Sequence, residues 1–189
     1  MTSAIPSGTP AGGGKTGRPE LFVKAAEFTL VAPTADDLER WRHLYRQFAE
    51  HYTVPVRAEH QDLIWSWLLD PDHPLQCLMA KDGDGVAQGL AHYRALTRPL
   101  AGSLGCFLDD LLVDADARGS GVADALLYGL GQIAADNGWT VVRWITADDN
   151  HRARSVYDHF ASRTMWVTYD MVPGDLPTEL KGFLRDYQC

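Results

Sequence analysis

The stretch Leu108-Asp109-Asp110-Leu111-Leu112-Val113-Asp114-Ala115-Asp116-Ala117-Arg118-Gly119-Ser120-Gly121-Val122-Ala123 decides how this chain folds. Its first half is apolar and strand-like. Its second half, Arg118 to Ala123, spells R-G-S-G-V-A and opens a helix. Glycines at a strand-to-helix turn let the backbone pass close to a ligand. The unsatisfied N–H groups of the first helical turn then point outward, and the helix dipole favours an anion. The turn is a candidate pyrophosphate cradle, or a glycine turn needed only for close packing. It is not a P-loop, because no Lys-Ser/Thr follows. The Gly-x-Gly-x-x-Gly dinucleotide fingerprint fails at Asp124.

Outward from this stretch, strand and helix patterns alternate over residues 25–172. Glu27 to Val31 reads as a short strand. Thr34-Ala35-Asp36-Asp37 reads as a helix N-cap with acids in the first turn. Leu38, Trp41, Tyr45 and Phe48 then recur at helical spacing to about His51. A second helix is expected from about His60 to Leu69, stopped by Asp70-Pro71. Leu75 to Ala80 and Val86 to Leu96 read as strands joined by the hairpin signal Asp82-Gly83-Asp84-Gly85. Ser103 to Val113 is a further long strand. Gly119 to Asp136 is the clearest helix, with Val122, Leu126, Leu127, Leu130, Ile133 and Ala134 on one stripe and Asn137-Gly138 ending it. A strand over Thr140 to Ile145, a helix over Asn150 to Phe160 and a strand over Met165 to Met171 complete the pattern.

The flanks differ in kind. Residues 1–24 are rich in Gly, Pro, Ser and Thr and are expected to be a flexible tail, since they bury too little to offset their ordering entropy. The string Gly12-Gly13-Gly14-Lys15-Thr16 fails the P-loop spacing at Thr9. Residues 173–189 read as a C-terminal extension with an amphipathic helix candidate over Thr178 to Tyr187.

The whole chain has 189 residues, 46% of them hydrophobic, and a formal net charge of -8. That length suits one domain with a core of its own. The acidity argues against nucleic acid, whose affinity for proteins comes largely from neutralised phosphates. No run approaches the roughly 18 unbroken apolar residues of a spanning helix, so no membrane partner is expected. No secretory h-region is seen near the N-terminus. Cys77, Cys106 and Cys189 make neither a disulfide framework nor a zinc site, and the expected compartment is the cytoplasm. The seven histidines (His43, His51, His60, His73, His92, His151 and His159) show no metal spacing.

The central stretch resembles the acyl-CoA binding motif of the GNAT N-acetyltransferase superfamily, Arg/Gln-x-x-Gly-x-Gly/Ala, with Arg118, Gly121 and Ala123 at its fixed positions. Leu108 to Val113 is similar to the fourth strand of the polyamine and diamine acetyltransferase branch, Leu-Glu-Asp-Leu-Phe-Val. Asn150-His151-Arg152-Ala153-Arg154-Ser155-Val156-Tyr157 resembles the family's Asn-x-x-Ala-x-x-x-Tyr helix. Two departures stand out. Ala161-Ser162-Arg163 replaces the usual Gly-Phe after the tyrosine helix. Asp109 replaces the branch's usual Glu, and its shorter side chain favours a water relay over direct proton transfer.

The resemblance implies an α+β fold, a mixed central β-sheet flanked by helices on both faces, whose splayed strands bind acyl-CoA. It implies acetyl transfer from acetyl-CoA, as co-substrate, to a primary amine of a small molecule by direct attack in a ternary complex. The cofactor site would comprise the backbone of Leu111, Leu112 and Val113, the cradle Arg118, Gly119, Ser120, Gly121, Val122 and Ala123, and Asn150 with Ala153. Tyr157 would be the general acid for the departing thiolate; its alternative is an ordinary core aromatic. Asp109 is the candidate base. Strict alternation puts Asp109, Leu111 and Val113 on one face and Leu108, Asp110 and Leu112 on the other. Asp110 is the second candidate, and either acid could instead cap a loop or pair with an arginine. Trp65 and Trp67 could face a cation, and Glu50 and Glu59 a distal ammonium, but core packing and solvation are their plainer readings. No covalent nucleophile is seen, since Cys106 lacks a histidine at a recognisable spacing. Family members are often homodimers. The alternatives are an antibiotic or protein amine as acceptor, and a non-catalytic acyl-CoA sensor. A pure interaction domain would leave the cradle unexplained.

Overall fold

The computed structural model describes residues 27–172. The expected tail, the C-terminal extension and Cys189 lie outside them. Within that span the elements are β1 (Thr29–Val31), α1 (Leu38–His51), α2 (Ala58–Leu69), β2 (Gln76–Lys81), β3 (Ala87–Arg98), β4 (Ser103–Val113), α3 (Val122–Asp136), β5 (Val142–Arg143) and α4 (His151–Phe160). The five strands form one sheet in the order β1-β2-β3-β4-β5, antiparallel except for the parallel β4–β5 pair. This is the mixed, helix-flanked α+β sheet that the sequence implied.

The sheet separates two apolar layers. On one face Trp41 and Leu44 of α1 and Trp65 of α2 pack on Cys77, Met79, Leu90 and Leu112. On the other, Val122, Leu126, Leu127 and Leu130 of α3 pack on Leu78, Ala91, Tyr93, Cys106 and Leu108, with Val156 and Tyr157 of α4 at the margin. The helical stripe read from the sequence is therefore the face that α3 buries. The helix starts at Val122 rather than Gly119, because Gly119 and Gly121 hold positive φ values of 84° and 96° and form the turn. A Cβ on Gly89 would meet Val122 Cγ1 at 2.5 Å and the Leu112 carbonyl at 2.6 Å, so glycine lets the first turn of α3 press onto β3.

Three expectations are corrected. A bulge in the β3–β4 ladder breaks the strict alternation: His92 pairs with Asp110, but Tyr93 pairs with Leu108, leaving Asp109 extra. Leu108 and Leu111 therefore both face α3, while Leu112 faces α1 and α2. Asp109 and Asp110 do not point oppositely; both turn to the α1/α2 face, as their partners show below.

The strand expected over Thr140 to Ile145 shrinks to Val142–Arg143. Those residues pair with Cys106 and Phe107, just before the bulge carries β4 away from β5. The strand expected over Met165 to Met171 does not form; the segment has no regular structure and Met165 is 93% exposed. A two-residue β5 offers too little ladder for another strand to extend.

Candidate active site

The divergence of β4 from β5 leaves a gap in the sheet. Beyond Phe107, β4 remains paired to β3 through Val113. Among the described residues its other edge is paired to β5 only at Cys106 and Phe107. Asp114 N–H donates to the Gln88 carbonyl at 2.9 Å, which fixes the alternation of the ladder. Leu112 accordingly spends its backbone groups on β3, while those of Leu111 and Val113 face the gap. A Leu111 or Val113 amide can therefore bind an extended amide-bearing arm or polarise a carbonyl.

The turn after β4 is built as a rigid bracket. The Asp114 carboxylate accepts from Asp116 N–H at 3.0 Å and pairs with Arg40 of α1 at 2.6 Å. Arg40 also donates to the Ala87 carbonyl at 2.6 Å, and Gln47 accepts from Ala115 N–H at 3.0 Å. Burial opposes ionisation of Asp114, but Asp116 N–H and Arg40 outweigh it and hold its pKa below the usual carboxylate value. Ser120 closes the turn by donating its hydroxyl to the Ala117 carbonyl at 2.6 Å. The first intrahelical bond of α3 runs from Ala125 to Gly121 at 2.9 Å. The N–H groups of Val122 and Ala123 thus precede the ladder, at the positive end of the helix. Arg118 and Gly119 are exposed beside them.

Helix α4 packs at the margin of the α3-side core through Val156 and Tyr157. Asn150 caps it, accepting from Ala153 N–H at 3.2 Å, so both residues are tied into the helix start. Tyr157 lies further along, its ring edge-to-face with Trp144 at 5.2 Å. Burial pushes its phenol pKa up, and the phenol of Tyr52 adds to the rise. Such a phenol keeps its proton at neutral pH and has one to give.

On the α1/α2 face, Asp109 pairs with Arg94 at 3.1 Å, and Arg94 lies over the Phe107 ring at 4.8 Å. Burial raises the Asp109 pKa, Arg94 opposes the rise, and the negative charge of Asp110 adds to it. Asp110 Oδ2 lies 2.9 Å from Nδ1 of the buried His92. Sequence reasoning missed His92 and its partner Trp41, which are 51 residues apart. The secondary candidates take their plainer readings: Trp65 is in the core beside Trp41 at 5.4 Å, Trp67 stacks on His73 at 4.9 Å, and Glu50 and Glu59 are exposed. Cys106 is fully buried; burial and the Asp109 charge push its thiol up to about 11, leaving it a poor nucleophile. Among the described residues no group of three His, Cys, Asp or Glu side chains could hold a metal ion, and no helix is long and apolar enough to cross a membrane.

A β4 edge open beyond Phe107, a glycine turn at the start of α3 and Tyr157 beside Trp144 after β5 make up the candidate site. The Acetyltransferase (GNAT) family matches residues 38–161, and the chain belongs to it. It is an acetyl-CoA-dependent N-acetyltransferase. It is 28% identical over 134 residues to the D-amino-acid N-acetyltransferase HPA3 of Saccharomyces cerevisiae, covering 70% of this chain and 83% of that protein. The fold is shared with a ribosomal-protein-alanine N-acetyltransferase from Brucella melitensis (TM-score 0.66, 23% identity, 77% of this chain and 98% of that one). It is shared equally with AAC(6')-Iy in complex with a CoA-linked bisubstrate analogue (TM-score 0.66, 21% identity, 77% and 97%).

Proposed function

We propose that this enzyme acetylates the primary amine of a small molecule by direct attack within a ternary complex. The observation that carries the reading is the β4 edge left open beyond Phe107, with the Gly121 turn at its end and Tyr157 packed on Trp144 after β5. Val122 and Ala123 N–H groups, with Arg118 beside them, suit a pyrophosphate. Leu111 and Val113 suit the pantetheine arm and the thioester carbonyl; one well-aimed amide is worth about 2.7–4 kcal/mol to a developing oxyanion. Acetyl-CoA supplies the activated acetyl thioester.

The residues then handle two protons. Asp109, directly or through one water, takes a proton from the acceptor ammonium. The freed nitrogen bonds the acetyl carbon, and the carbon–sulfur bond breaks. Tyr157 gives its phenolic proton to the leaving sulfur, and regains one from solvent as the amide nitrogen sheds its own. The raised Asp109 pKa favours the base role, since a base works best when its pKa approaches the working pH.

A homodimer belongs to the same reading, supported by the exposed apolar run Met165, Trp166, Val167 and Tyr169. A cytoplasmic location is supported by the free thiols of Cys77 and Cys106. The experiment is thiol release from acetyl-CoA across a panel of polyamines, amino acids, aminoglycosides and a protein N-terminal peptide. Turnover with small amines and mass detection of the acetylated product supports the reading. Turnover with the peptide alone contradicts it, and acetyl-CoA binding without any turnover favours a sensor.

A further inference from the structure

The N–H of the Trp41 indole lies 3.0 Å from Nε2 of His92, and Nδ1 of His92 lies 2.9 Å from Oδ2 of Asp110. His92 is 1% exposed. An indole only donates, so Nε2 must offer its lone pair. Nδ1 is then the ring's donor, and it donates to Asp110. A second proton on Nε2 would set two donors face to face in a buried place. We propose that Trp41 and His92 form a positioning relay that fixes the Asp110 carboxylate beside Asp109, making a paired-carboxylate base site. The proposal rests on the reading of Asp109 as the base.

The bulge makes the pair possible. Without the extra residue at Asp109, the two acids would lie on opposite faces. Arg94 alone, paired to Asp109 at 3.1 Å, would make it a weak base. Burial is the largest cause raising the Asp109 pKa, Arg94 opposes it, and the fixed charge of Asp110 adds to the rise. A mobile Asp110 would do this poorly, because it could swing to Arg94 or to solvent. The groups facing His92 are Trp41 and Tyr45 from α1, Cys77 from β2, Asp110 and Asp109 from β4, and Arg94 two residues on in β3. Tyr45 stacks on Trp41 at 4.9 Å and closes the ring cluster; burial and the Asp110 charge push its phenol up, so it stays neutral. Cys77 is held protonated by burial. Asp110 and Asp109 are therefore the anions that the ring and the base sense.

The test is the pH profile of kcat/KM for the full-length enzyme with its best amine. Asp110→Asn should move the acid limb to lower pH by roughly one unit, because a like charge near Asp109 is gone. His92→Leu should lower kcat about tenfold. His92→Asn, whose amide N–H can reach the place of Nδ1–H, should recover most of it. Trp41→Phe removes the donor that holds the ring and should lower kcat in the same direction as His92→Leu. A purely structural cluster would lower Tm in these variants without moving any limb. An acid limb unmoved in folded Asp110→Asn, or equal losses in the two His92 variants, overturns the relay. Should His92→Leu fail to fold, the limb of the part-exposed Asp110→Asn still decides it, with His92→Asn measured directly against wild type. An Asp109→Asn profile parallel to wild type would overturn the base assignment itself. A collapsed Asp109→Asn rate with an unmoved Asp110→Asn limb would overturn the relay alone.

Discussion

Tyr157 meets Trp144 edge to face at 5.2 Å, and this contact ties the proposed acid to the end of β5. The ring is held by packing, and the proposal gives the hydroxyl a separate task. Tyr157→Phe should therefore keep the ring contact and most of the stability. Its kcat should fall by about 10²–10⁴ while acetyl-CoA affinity is largely unchanged. Calorimetric titration with acetyl-CoA beside steady-state turnover checks both halves. A core aromatic without a chemical role would leave kcat near wild type.

Gly121 has φ of 96°, a conformation that a β-branched residue strongly resists. Its place at the start of α3 also brings the backbone close to the proposed pyrophosphate. Acetyl-CoA should stabilise the wild type by about 2.7 kcal/mol at 100 times its dissociation constant. Gly121→Val should remove most of that stabilisation. A folded Gly121→Val protein with unchanged acetyl-CoA affinity would remove the bracket from the cofactor site.

Asp114 joins β4 to α1 through Arg40, and its depressed pKa carries a sign. A carboxylate lowered in the folded state adds stability above its unfolded pKa, about 3.9, and loses it as pH falls through the folded value. Asp114→Ala should cost about 1–3 kcal/mol near neutrality, since Arg40 and Asp116 N–H lose their acceptor. The gap between wild type and variant should begin to narrow below about pH 4. Urea unfolding across that range reads the gap, and a gap independent of pH would assign the loss to packing alone.

Cys106 is buried with its thiol pushed up to about 11. Cys106→Ala should keep turnover near wild type, with a modest loss of stability from the small void. Abolished turnover in a folded Cys106→Ala protein would point to an acetyl-thioester intermediate instead of direct attack.

The element order was legible because periodicity reports burial. Leu126 and Leu130 had to share a helix face, and Asp82 to Gly85 had to turn. The turn before α3 was legible because Gly119 and Gly121 both take positive φ there. What was hidden depends on pairing. A bulge adds one residue without changing composition, so Asp109 and Asp110 read as opposite when they are neighbours. Leu111-Leu112, apolar on both faces, masked the broken alternation. The β4–β5 divergence shortened the strand at Thr140 to Ile145, which no local signal records. Met165 to Met171 has strand propensity but finds no ladder. Trp41 and His92 each looked ordinary, one on a helix stripe and one in a strand. Only the tertiary fold brings the indole N–H to the imidazole.

The most direct test of the account is a pH–rate profile of wild type and Asp109→Asn with the best amine acceptor. An acceptor of pKa near 10.4, the lysine value, is mostly charged at neutral pH and needs help to lose its proton. The account predicts that Asp109→Asn depresses kcat/KM most at neutral pH and regains part of the rate as pH rises. An Asp109→Asn profile parallel to wild type would contradict it, and would leave Asp110 or a water chain to deprotonate the amine.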